Sequence, residues 1–481
     1  MNARIRQRTV LLATSLSYVV VILDTSIVNV ALAPISASLA TGMSGLQWVV
    51  NAYTLTFASL LLSGGTLGDR LGERNVYIAG LAIFTVASAL CGAASGLAML
   101  IGARIVQGVG AALLVPASLA LINRACPHPR ERAAAFGVWA GLGGLAMAAG
   151  PLIGGVVIGL VGWRSIFLLN VPVCLAGIAL AFRVAMPARE PGGAAHRFDI
   201  AGQIAAIVTL ALLNITVIRL PAEGWSAPPI VVGIAATLLA GCMFVAIEMK
   251  SAQPVLPFGL FRHAGFSCAI FVSVVSAFTF YGLIFDLSLY FQHQLDYSPM
   301  RTGLAFLPLT IVVPIGSLVS KRAVAWLGPR RLVAGACMLT ALGFTGLWAI
   351  VSCFSDAPFA SALPAIGLAA SLITPATTAT LMASVEIDRS GIAAAVLNAA
   401  RQTGAVLGVA ISGSMLALQH SIADGMRGGL LLSAALSMAA GIVWFSAYAV
   451  SSMTPRPSRR SPRSPARTAP PAARPSPDSD R

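Results

Sequence analysis

Charge is scarce in this chain of 481 residues, since only 10% of them are Asp, Glu, Lys or Arg while 57% are hydrophobic. Soluble domains carry about 25% charged residues, so this composition excludes a soluble protein with a large apolar core. Lysine is almost missing and occurs only as Lys250 and Lys321. Neither follows the glycines of a GxxxxGK loop, which excludes ATP use at a P-loop.

Patterns that bind metals or carry covalent chemistry are also missing. The 7 cysteines stand singly, in an odd number and without a CxxC pair, so neither a zinc site nor a disulfide framework is indicated. The metalloprotease motif HExxH and the nucleophile motif GxSxG do not occur. We therefore predict a protein that is not an enzyme and that has no catalytic residue, no metal and no cofactor.

Long apolar runs dominate what is present. A helix needs about 20 apolar residues to cross the ~30 Å hydrocarbon core of a bilayer, where the backbone can satisfy its hydrogen bonds only internally. The sequence predicts fourteen spans, and loss of the seventh and eighth would leave twelve. The predicted spans are 9–33, 46–68, 75–95, 97–122, 133–158, 163–184, 200–220, 228–248, 264–290, 300–321, 331–351, 357–382, 390–417 and 428–450.

Positive charge tests this count, because cytoplasmic loops are rich in Lys and Arg. Alternating the loops from a cytoplasmic N-terminus puts 25 of the 31 Lys and Arg residues inside. The residues that fall outside are Arg164, Arg219, Arg301 and Arg427. The split requires an even number of spans, with both termini cytoplasmic. The net charge of +15 is therefore explained by cytoplasmic loops that face anionic membrane lipid. We predict no nucleic-acid partner.

A faint repeat divides the chain into halves. GGTLGDRLGERN (64–75) follows the second span and GSLVSKRAVAWLGPRR (316–331) follows the tenth, and both combine glycine with basic residues. We predict an all-α polytopic membrane protein with two six-helix halves and two extra central helices. The predicted parts are an N-terminal bundle at 1–185, a cytoplasmic linker at 186–199, two inserted helices at 200–250, a C-terminal bundle at 251–452 and a disordered basic cytoplasmic tail at 453–481.

Asp24 is the most informative charged residue, because no other charge lies between Arg8 and Asp69. A carboxylate at membrane depth costs at least about 2.5–3.5 kcal/mol. Asp24 lies about 15 residues into the first span, roughly 22 Å along the helix and beyond the midplane. Such a residue carries protons or pairs with a cationic ligand in a wet cavity. The alternative is a buried acid that only bonds neighbouring helices.

Several strings occur in a characteristic order along the chain. They are LDTSIVNVALAP (23–34), GTLGDRLGER (65–74), LIGARIVQGVGAALLVPASL (100–119), GGLAMAAGPLIGG (143–155), WRSIFLLNVP (163–172) and LNAARQTGAVLG (397–408). Together they resemble the major facilitator superfamily, and more closely its fourteen-span drug:proton antiporter family. The resemblance covers nearly everything from residue 10 to residue 451.

The resemblance implies a conformational gate in the loop after the second span. Its gating motif comprises Gly65, Gly68, Asp69, Arg70, Gly72 and Arg74. Glycines permit a tight turn and close approach of helices, and Asp69 can cap a helix end or pair with a nearby arginine. The sequence departs from the family pattern at Glu73, where a basic residue is usual.

The resemblance also implies a role in proton coupling for Asp24 and for Arg104 in the fourth span, with Gln107 one turn further on. A lone arginine within a membrane needs carbonyl, water or carboxylate partners. By family geometry, Asp24 is a reasonable partner of Arg104. A structural anchor is the alternative for Arg104.

The fifth span contains the string that the family's antiporters share. Gly150, Pro151, Gly154 and Gly155 match this antiporter motif, and Ala146 replaces a further glycine. From physical chemistry alone, ordinary packing of small residues explains the string equally well. The resemblance makes it favour export.

The second half contributes two further candidates for proton coupling or substrate binding. Asp286 lies near the outer end of the ninth span, where we expect water to reach it. Arg401 lies about 11 residues into the thirteenth span, near mid-membrane by helix rise, and either faces a cavity or bonds a neighbouring helix. Aromatic residues such as Tyr53 and Tyr281 either line a greasy pocket or pack between helices.

The leading hypothesis is a proton-coupled efflux transporter, an antiporter that exports amphipathic drugs or antibiotics by alternating access. Its expected partners are a small amphipathic substrate, protons and membrane lipid. A carrier of the same fold for one specific metabolite or siderophore is the alternative, and a membrane enzyme or sensor is a third. Arginine outnumbers lysine 29 to 2, which is typical of GC-rich bacterial genomes, so we predict the bacterial cytoplasmic (inner) membrane.

Overall fold

The computed structural model describes residues 3–126, 128–183, 199–251, 258–351, 359–385, 390–419 and 421–453. The predicted linker at 186–199 lies outside these ranges except for Asp199, and the predicted tail lies outside them beyond Met453. Within the described ranges every regular element is helical, as the apolar runs predicted.

Seventeen α-helices form the described part of the chain. The first eight are α1 (Ala3–Val30), α2 (Leu32–Leu39), α3 (Met43–Leu71), α4 (Glu73–Gly92), α5 (Leu97–Ala125), α6 (Pro129–Val161), α7 (Ser165–Leu168) and α8 (Asn170–Arg183). The others are α9 (Ile200–Glu223), α10 (Pro228–Lys250), α11 (Ala264–Leu289), α12 (Pro299–Ala305), α13 (Leu307–Thr310), α14 (Val312–Val351), α15 (Phe359–Ala383), α16 (Ser390–Leu418) and α17 (Ile422–Met453). A 3₁₀ turn at Phe258–Arg262 precedes α11 and a π-helical turn at Tyr290–Gln294 follows it.

Twelve segments of the described chain are long and apolar enough to cross a membrane, against fourteen predicted spans. Both α9 and α10 are among them, so the seventh and eighth predicted spans are not where the numbers differ. The second predicted span, α3, is not among the twelve, and buried polar side chains such as Gln47 and Asn51 make it less apolar. The tenth and eleventh predicted spans fall in one segment, Pro299–Val351, of 53 residues.

At one end of the molecule the two halves share a single hydrophobic core. This core joins the end of α1, the start of α3 and the end of α6 to the end of α11 and to α12 and α13. Ile27 and Trp163 from the first half and Phe285 and Phe306 from the second belong to it, all under 9% exposed. We call this the closed end.

At the opposite end each half has a core of its own. In the first half, Tyr77 and Leu121 belong to one cluster, formed by the start of α1, α4 and α6 with the ends of α5 and α8. In the second half, Phe266 and Leu381 belong to another, formed by the starts of α11 and α16 with the ends of α15 and α17. We call this the split end, because no hydrophobic core of the described residues joins the halves there.

The helix α9 packs against both halves. Asn51 on α3 donates from Nδ2 to Oδ1 of Asn214, 3.1 Å away, and Ser63 on α3 donates to Oε1 of Gln203 at 2.6 Å. On the other side, Ser414 of α16 donates to the carbonyl of Val217 at 2.8 Å. The helix α10 packs on α9. The two central helices are therefore attached along the α3–α16 seam.

Candidate functional site

Asp24 and Arg104 are in direct contact inside the first half. Asp24 on α1 is 0% exposed and Arg104 on α5 is 1% exposed. Nη1 of Arg104 donates to Oδ2 of Asp24, which makes a fully buried salt bridge. The partnership expected from the resemblance is therefore present in the structure.

Two amide side chains complete the contacts of the Asp24 carboxylate. Its Oδ1 accepts hydrogen bonds at 2.9 Å from Nε2 of Gln107 and from Nδ2 of Asn170 on α8. Gln107 also donates to Oγ of Ser88 on α4 at 2.9 Å and accepts from Nη1 of Arg104 at 2.8 Å. Gln107 reaches the same group because it follows Arg104 by three residues, on the same face of α5. We call these five residues the Asp24 cluster.

Arg104 is further held by α3. Its Nε donates to the carbonyl oxygen of Val49 at 3.0 Å, and its Cζ lies 4.3 Å from the ring centroid of Tyr53. A buried ion pair repays the cost of desolvation only when its remaining hydrogen-bonding groups are also satisfied. These contacts, including the cation–π contact, meet that condition, so the pair is stable in this conformation.

Ser88 and Asn170 are members of the Asp24 cluster that were not predicted from the sequence. Asn170 stands within the string WRSIFLLNVP that carried part of the resemblance, and it is the only amide of that apolar string. It is 1% exposed in the structure. A buried amide among apolar residues was the available signal, because such a group requires a hydrogen-bonding partner.

Asp286 is buried, which corrects the expectation that water reaches it. It lies on α11 at 3% exposure, and Oδ1 has no hydrogen-bond partner among the described residues. Its polar neighbour is Ser412 on α16. Helix α17 covers it closely, since a methyl group added at Gly429 would lie 3.1 Å from Oδ2. The sequence located Asp286 along its helix but could not show that two other helices pack over it.

Arg401 on α16 forms hydrogen bonds with α15. Its Nη2 donates to the carbonyl oxygen of Thr374 at 2.9 Å and to Oγ1 of Thr378 at 2.8 Å. It is half-buried and interacts electrostatically with Tyr18 on α1 and Tyr281 on α11. The bond to a neighbouring helix, one of the two alternatives for Arg401, is therefore present, and the cavity-facing role stays a prediction. Arg401 and Asp286 share no hydrogen bond or ion pair with the Asp24 cluster in the described structure.

The gating motif forms the turn between α3 and α4 at the split end. Gly72 has φ +86° and joins α3, which ends at Leu71, directly to α4, which begins at Glu73. This backbone conformation favours glycine. Arg74 donates from Nε to the carbonyl of Ala181 at 3.0 Å and from Nη2 to that of Phe182 at 3.1 Å, at the end of α8.

Glu73, the departure from the family pattern, forms an ion pair of its own. Its Oε2 lies 3.0 Å from Nη1 of Arg124, near the end of α5. The side chain of Asp69 lies outside the described side chains, so its expected cap or ion pair stays a prediction. Gly65 and Gly68 have ordinary surroundings, since an added methyl group would find its nearest atom at 3.8 Å.

The antiporter motif packs α6 against both halves. A methyl group at Gly150 or Gly154 would collide with Ser26 or Ile27 of α1. One at Gly155 would lie 2.5 Å from the carbonyl oxygen of Pro299, at the start of α12 in the second half. In return, a methyl group at Gly303 of α12 would lie 2.4 Å from the carbonyl oxygen of Pro151. The motif therefore provides a close contact between the halves at the closed end.

Comparison with known proteins agrees with this architecture. Residues 14–409 match the Major Facilitator Superfamily. The chain is 38% identical over 442 residues to the methylenomycin A resistance protein of Bacillus subtilis (strain 168). The aligned residues cover 90% of this chain and 93% of that protein. The chain is 36% identical over 414 residues to the multidrug resistance protein Stp of Mycobacterium tuberculosis (strain CDC 1551 / Oshkosh), covering 85% and 75% of the two chains.

A solved D-xylose-proton symporter superposes with a TM-score of 0.67 at 12% identity, covering 91% of this chain and 97% of that chain. A POT family transporter superposes with a TM-score of 0.65 at 12% identity, covering 93% and 99%. At such identities the likeness concerns the fold alone. The family match, the relatives and the membrane-crossing helices together lead to one conclusion: this multi-pass membrane protein belongs to the major facilitator superfamily.

Proposed function

We propose that this chain is a proton-coupled efflux transporter that exports amphipathic drugs or antibiotics by alternating access. Relatives named for resistance to methylenomycin A and to multiple drugs support the export of small molecules. The observation that carries the proton coupling is the buried pair of Asp24 and Arg104. A carrier of the same fold for one specific metabolite or siderophore is the second candidate.

Proton binding at Asp24 changes the balance of charge inside the first half. Protonation neutralises the carboxylate and leaves the Arg104 guanidinium buried without a counter-ion, which is strongly unfavourable. Since α1, α4, α5 and α8 meet at the Asp24 cluster, relief of that cost requires these helices to move. The cluster is thus an element with two arrangements that a proton can bias. Asp286, buried without a cation, is the proposed second proton-binding carboxylate.

The two ends of the molecule supply the gates. The shared core and the contact of Gly155 with Pro299 close one end, while the separate cores leave the other end divided. In the opposite conformation the halves separate at the closed end and meet at the split end. The turn at Gly72, with the ion pair of Glu73 and Arg124, lies where that second closure occurs.

The fourteen-span topology of the drug:proton antiporter family is part of the proposal. The segment Pro299–Val351 is 53 residues long, or roughly 80 Å as helix, which exceeds one crossing of a ~30 Å core. It also has a non-helical residue at Gly328 within α14. Two crossings in that segment and one by α3, which has 29 residues, bring twelve candidates to fourteen. The protein then lies in a bacterial inner membrane with both termini on the cytoplasmic side.

Proton exchange in inside-out membrane vesicles tests the coupling. The vesicle lumen is acidified by respiration, and a pH-sensitive dye reports protons released when an amphipathic compound is added. We expect release with the wild type and none with Asp24→Asn. The matched control is Asp424→Asn, because Asp424 is exposed and its polar contacts in the described structure are with its near neighbours Arg427 and Ser421. Exchange at the wild-type rate in inserted Asp24→Asn would overturn the assignment of Asp24.

Competition between compounds separates the two candidate functions. A multidrug exporter releases protons with several chemically unrelated compounds, and each slows export of the others. A specific carrier responds to a single compound and its close analogues. A panel of cationic, neutral and anionic amphiphiles in the same vesicles gives the answer without knowledge of the natural substrate.

A further inference from the structure

Arg401 is a cation within a membrane-crossing helix that has no counter-ion. Its hydrogen-bond partners in the described structure are the Thr374 carbonyl, at 2.9 Å, and the Thr378 hydroxyl, at 2.8 Å, with the Thr377 hydroxyl more distant at 3.5 Å. All of these groups are neutral. It makes no ion pair with any described carboxylate. An intramembrane arginine without a counter-charge marks a substrate or ion pathway.

One tyrosine from each half interacts with this cation. Tyr18 of the first half and Tyr281 of the second interact with it electrostatically. Trp139 on α6 stacks on Tyr18 with ring centroids 3.6 Å apart and an interplanar angle of 16°. Trp139 is 8% exposed, and its indole Nε1 is buried without a hydrogen-bond partner. A buried donor without a partner, on a ring stacked against a tyrosine that interacts with the cation, points to a ligand that accepts hydrogen bonds.

We propose that Arg401, Tyr18, Tyr281 and Trp139 bind an amphipathic organic anion, whose carboxylate pairs with the Arg401 guanidinium. A planar guanidinium matches a carboxylate with two parallel hydrogen bonds. The aromatic rings supply the apolar surface that covers most of a small ligand in a protein pocket. This assignment rests on the proposed export function and names the substrate class for it.

The surroundings of Asp24 and Asp286 disfavour a cationic substrate at this place. Asp24, the acid on α1, already pairs with Arg104 in a fully buried contact. Asp286 is buried behind α16 and α17. The charge that remains available between the halves is therefore the positive charge of Arg401, which attracts anions and repels cations.

The substrate's charge determines how the membrane potential acts on exchange. When one proton enters and one monovalent anion leaves, two positive charges move inward. A neutral substrate moves one charge, and a monovalent cation moves none. An inside-negative potential therefore drives anion export more strongly than export of the other two classes.

Binding of three dansyl compounds to the full-length protein in nanodiscs tests the site without any proton gradient. Dansylglycine is an anion, dansylglycinamide is neutral and dansylcadaverine is a cation, and all three carry the same fluorophore. We expect dansylglycine to bind the wild type about tenfold or more tightly than the other two, the ratio that a charge-assisted pair provides. Equal binding of the three probes, or preference for dansylcadaverine, overturns the proposal.

Substitutions assign the preference to Arg401. Arg401→Gln should reduce the affinity for dansylglycine about tenfold and leave that for dansylglycinamide unchanged. Arg427→Gln is the matched control, since it removes a guanidinium that pairs with Asp424 at the start of α17, outside this site. Wild-type affinity for dansylglycine in Arg401→Gln overturns the assignment. The comparison of probes on the wild type holds even if this variant fails to insert.

Failure of the export proposal gives a different pattern. If dansylglycine binds through Arg401 but no compound releases protons in vesicles, the proposed anion site is supported and the proposed proton coupling is contradicted. If only cations release protons and dansylglycine does not bind, the proposed anion site is contradicted and the proposed proton coupling is supported.

Discussion

At the residue scale, Asp24 and Asp286, both buried in membrane-crossing helices, differ in their partners. Asp24 accepts hydrogen bonds from Arg104, Gln107 and Asn170. Asp286 is equally enclosed but has no cation, and its Oδ1 has no hydrogen-bond partner in the described structure. Burial of a charge is tolerated when it is paired and is costly when it is not. Substitutions at the two positions should therefore change stability differently.

Asp24→Asn should destabilise the protein, because it leaves the Arg104 guanidinium buried without a counter-ion. Loss of one partner of a buried ion pair costs about 3–5 kcal/mol, whereas replacement of both is far less harmful. We expect a lower melting temperature for Asp24→Asn than for the double variant Asp24→Asn with Arg104→Gln. Thermal unfolding of the purified proteins, followed by tryptophan fluorescence, compares them. Identical melting temperatures for the single variant and the wild type would contradict this account of the pair.

Asp286→Asn should keep or raise the melting temperature, because it removes the possibility of an unpaired buried charge while conserving the shape of the side chain. The same variant should lose proton-coupled export if Asp286 binds a proton during the cycle. Thermal unfolding and the vesicle assay on the same preparation measure both effects. A loss of stability as large as that of Asp24→Asn would mean that Asp286 has an ionic partner after all.

The candidate site was only partly predictable at this scale. The motif around Arg104 and the string around Asp24 indicated two members of the Asp24 cluster, and helical spacing brings Gln107 to the same face as Arg104. Ser88 and Asn170 come from helices that meet Asp24 only in the folded bundle, so spacing along the chain carried no information about them. The burial of Asp286 likewise depends on how α16 and α17 pack against α11.

At the scale of elements, α6 joins the halves at the closed end. Gly155 and Pro151 of α6 meet Pro299 and Gly303 of α12 with almost no space for a methyl group on either side. Small residues permit such close packing of helix backbones. The contact exists only while the closed end is closed, so a bulkier residue there should penalise this conformation specifically.

Gly155→Ala should open the closed end, since its methyl group would lie 2.5 Å from the Pro299 carbonyl. Gly159→Ala, one turn further along α6, is the matched control because an added methyl group there has no atom within 4 Å. We expect faster hydrogen–deuterium exchange in Pro299–Ala305 for Gly155→Ala and wild-type exchange for Gly159→Ala. Equal exchange in the two variants would show that the α6–α12 contact does not hold this end together.

The existence of elements was easier to predict from sequence than their contacts. The apolar runs predicted α9 and α10, both of which the structure contains as long apolar helices. In contrast, the glycine of α3 that lies tight against α5 is Gly64, where a methyl group would lie 2.1 Å from the Ala112 carbonyl, whereas Gly65 and Gly68 of the gating motif have more space. Which glycine faces a neighbour depends on the rotation of the helix, and the motif alone does not define it.

At the scale of the whole molecule, one shared core and two separate cores describe a single state of an alternating-access cycle. The halves meet through the cluster that contains Trp163 and Phe306, whereas the clusters around Tyr77 and Trp444 belong to one half each. From the positive loop charge we predict that the split end faces the cytoplasm. With that orientation, the divided end of this state is the side from which an exported substrate arrives.

The number of crossings decides on which side of the membrane the chain ends. With the proposed cytoplasmic N-terminus, fourteen spans would place the C-terminus in the cytoplasm as well. If the segment Pro299–Val351 crossed only once, the total would be thirteen and the C-terminus would lie outside. If α9 and α10 did not cross, the turn between them, where Trp225 is 70% exposed, would stay in the cytoplasm. Each alternative thus predicts a different location for one of two accessible points.

Fusions to alkaline phosphatase, which is active only outside the cytoplasm, and to green fluorescent protein test these locations. We expect a phosphatase inserted at Trp225 to be active and one at the C-terminus to be inactive. Green fluorescent protein should be dark at Trp225 and fluorescent at the C-terminus. An active phosphatase at the C-terminus would require an odd number of spans. It would contradict the proposal that the segment Pro299–Val351 crosses twice, once before and once after Gly328. Inactive phosphatase at Trp225 would remove α9 and α10 from the membrane, and the two-half architecture would then have twelve crossings.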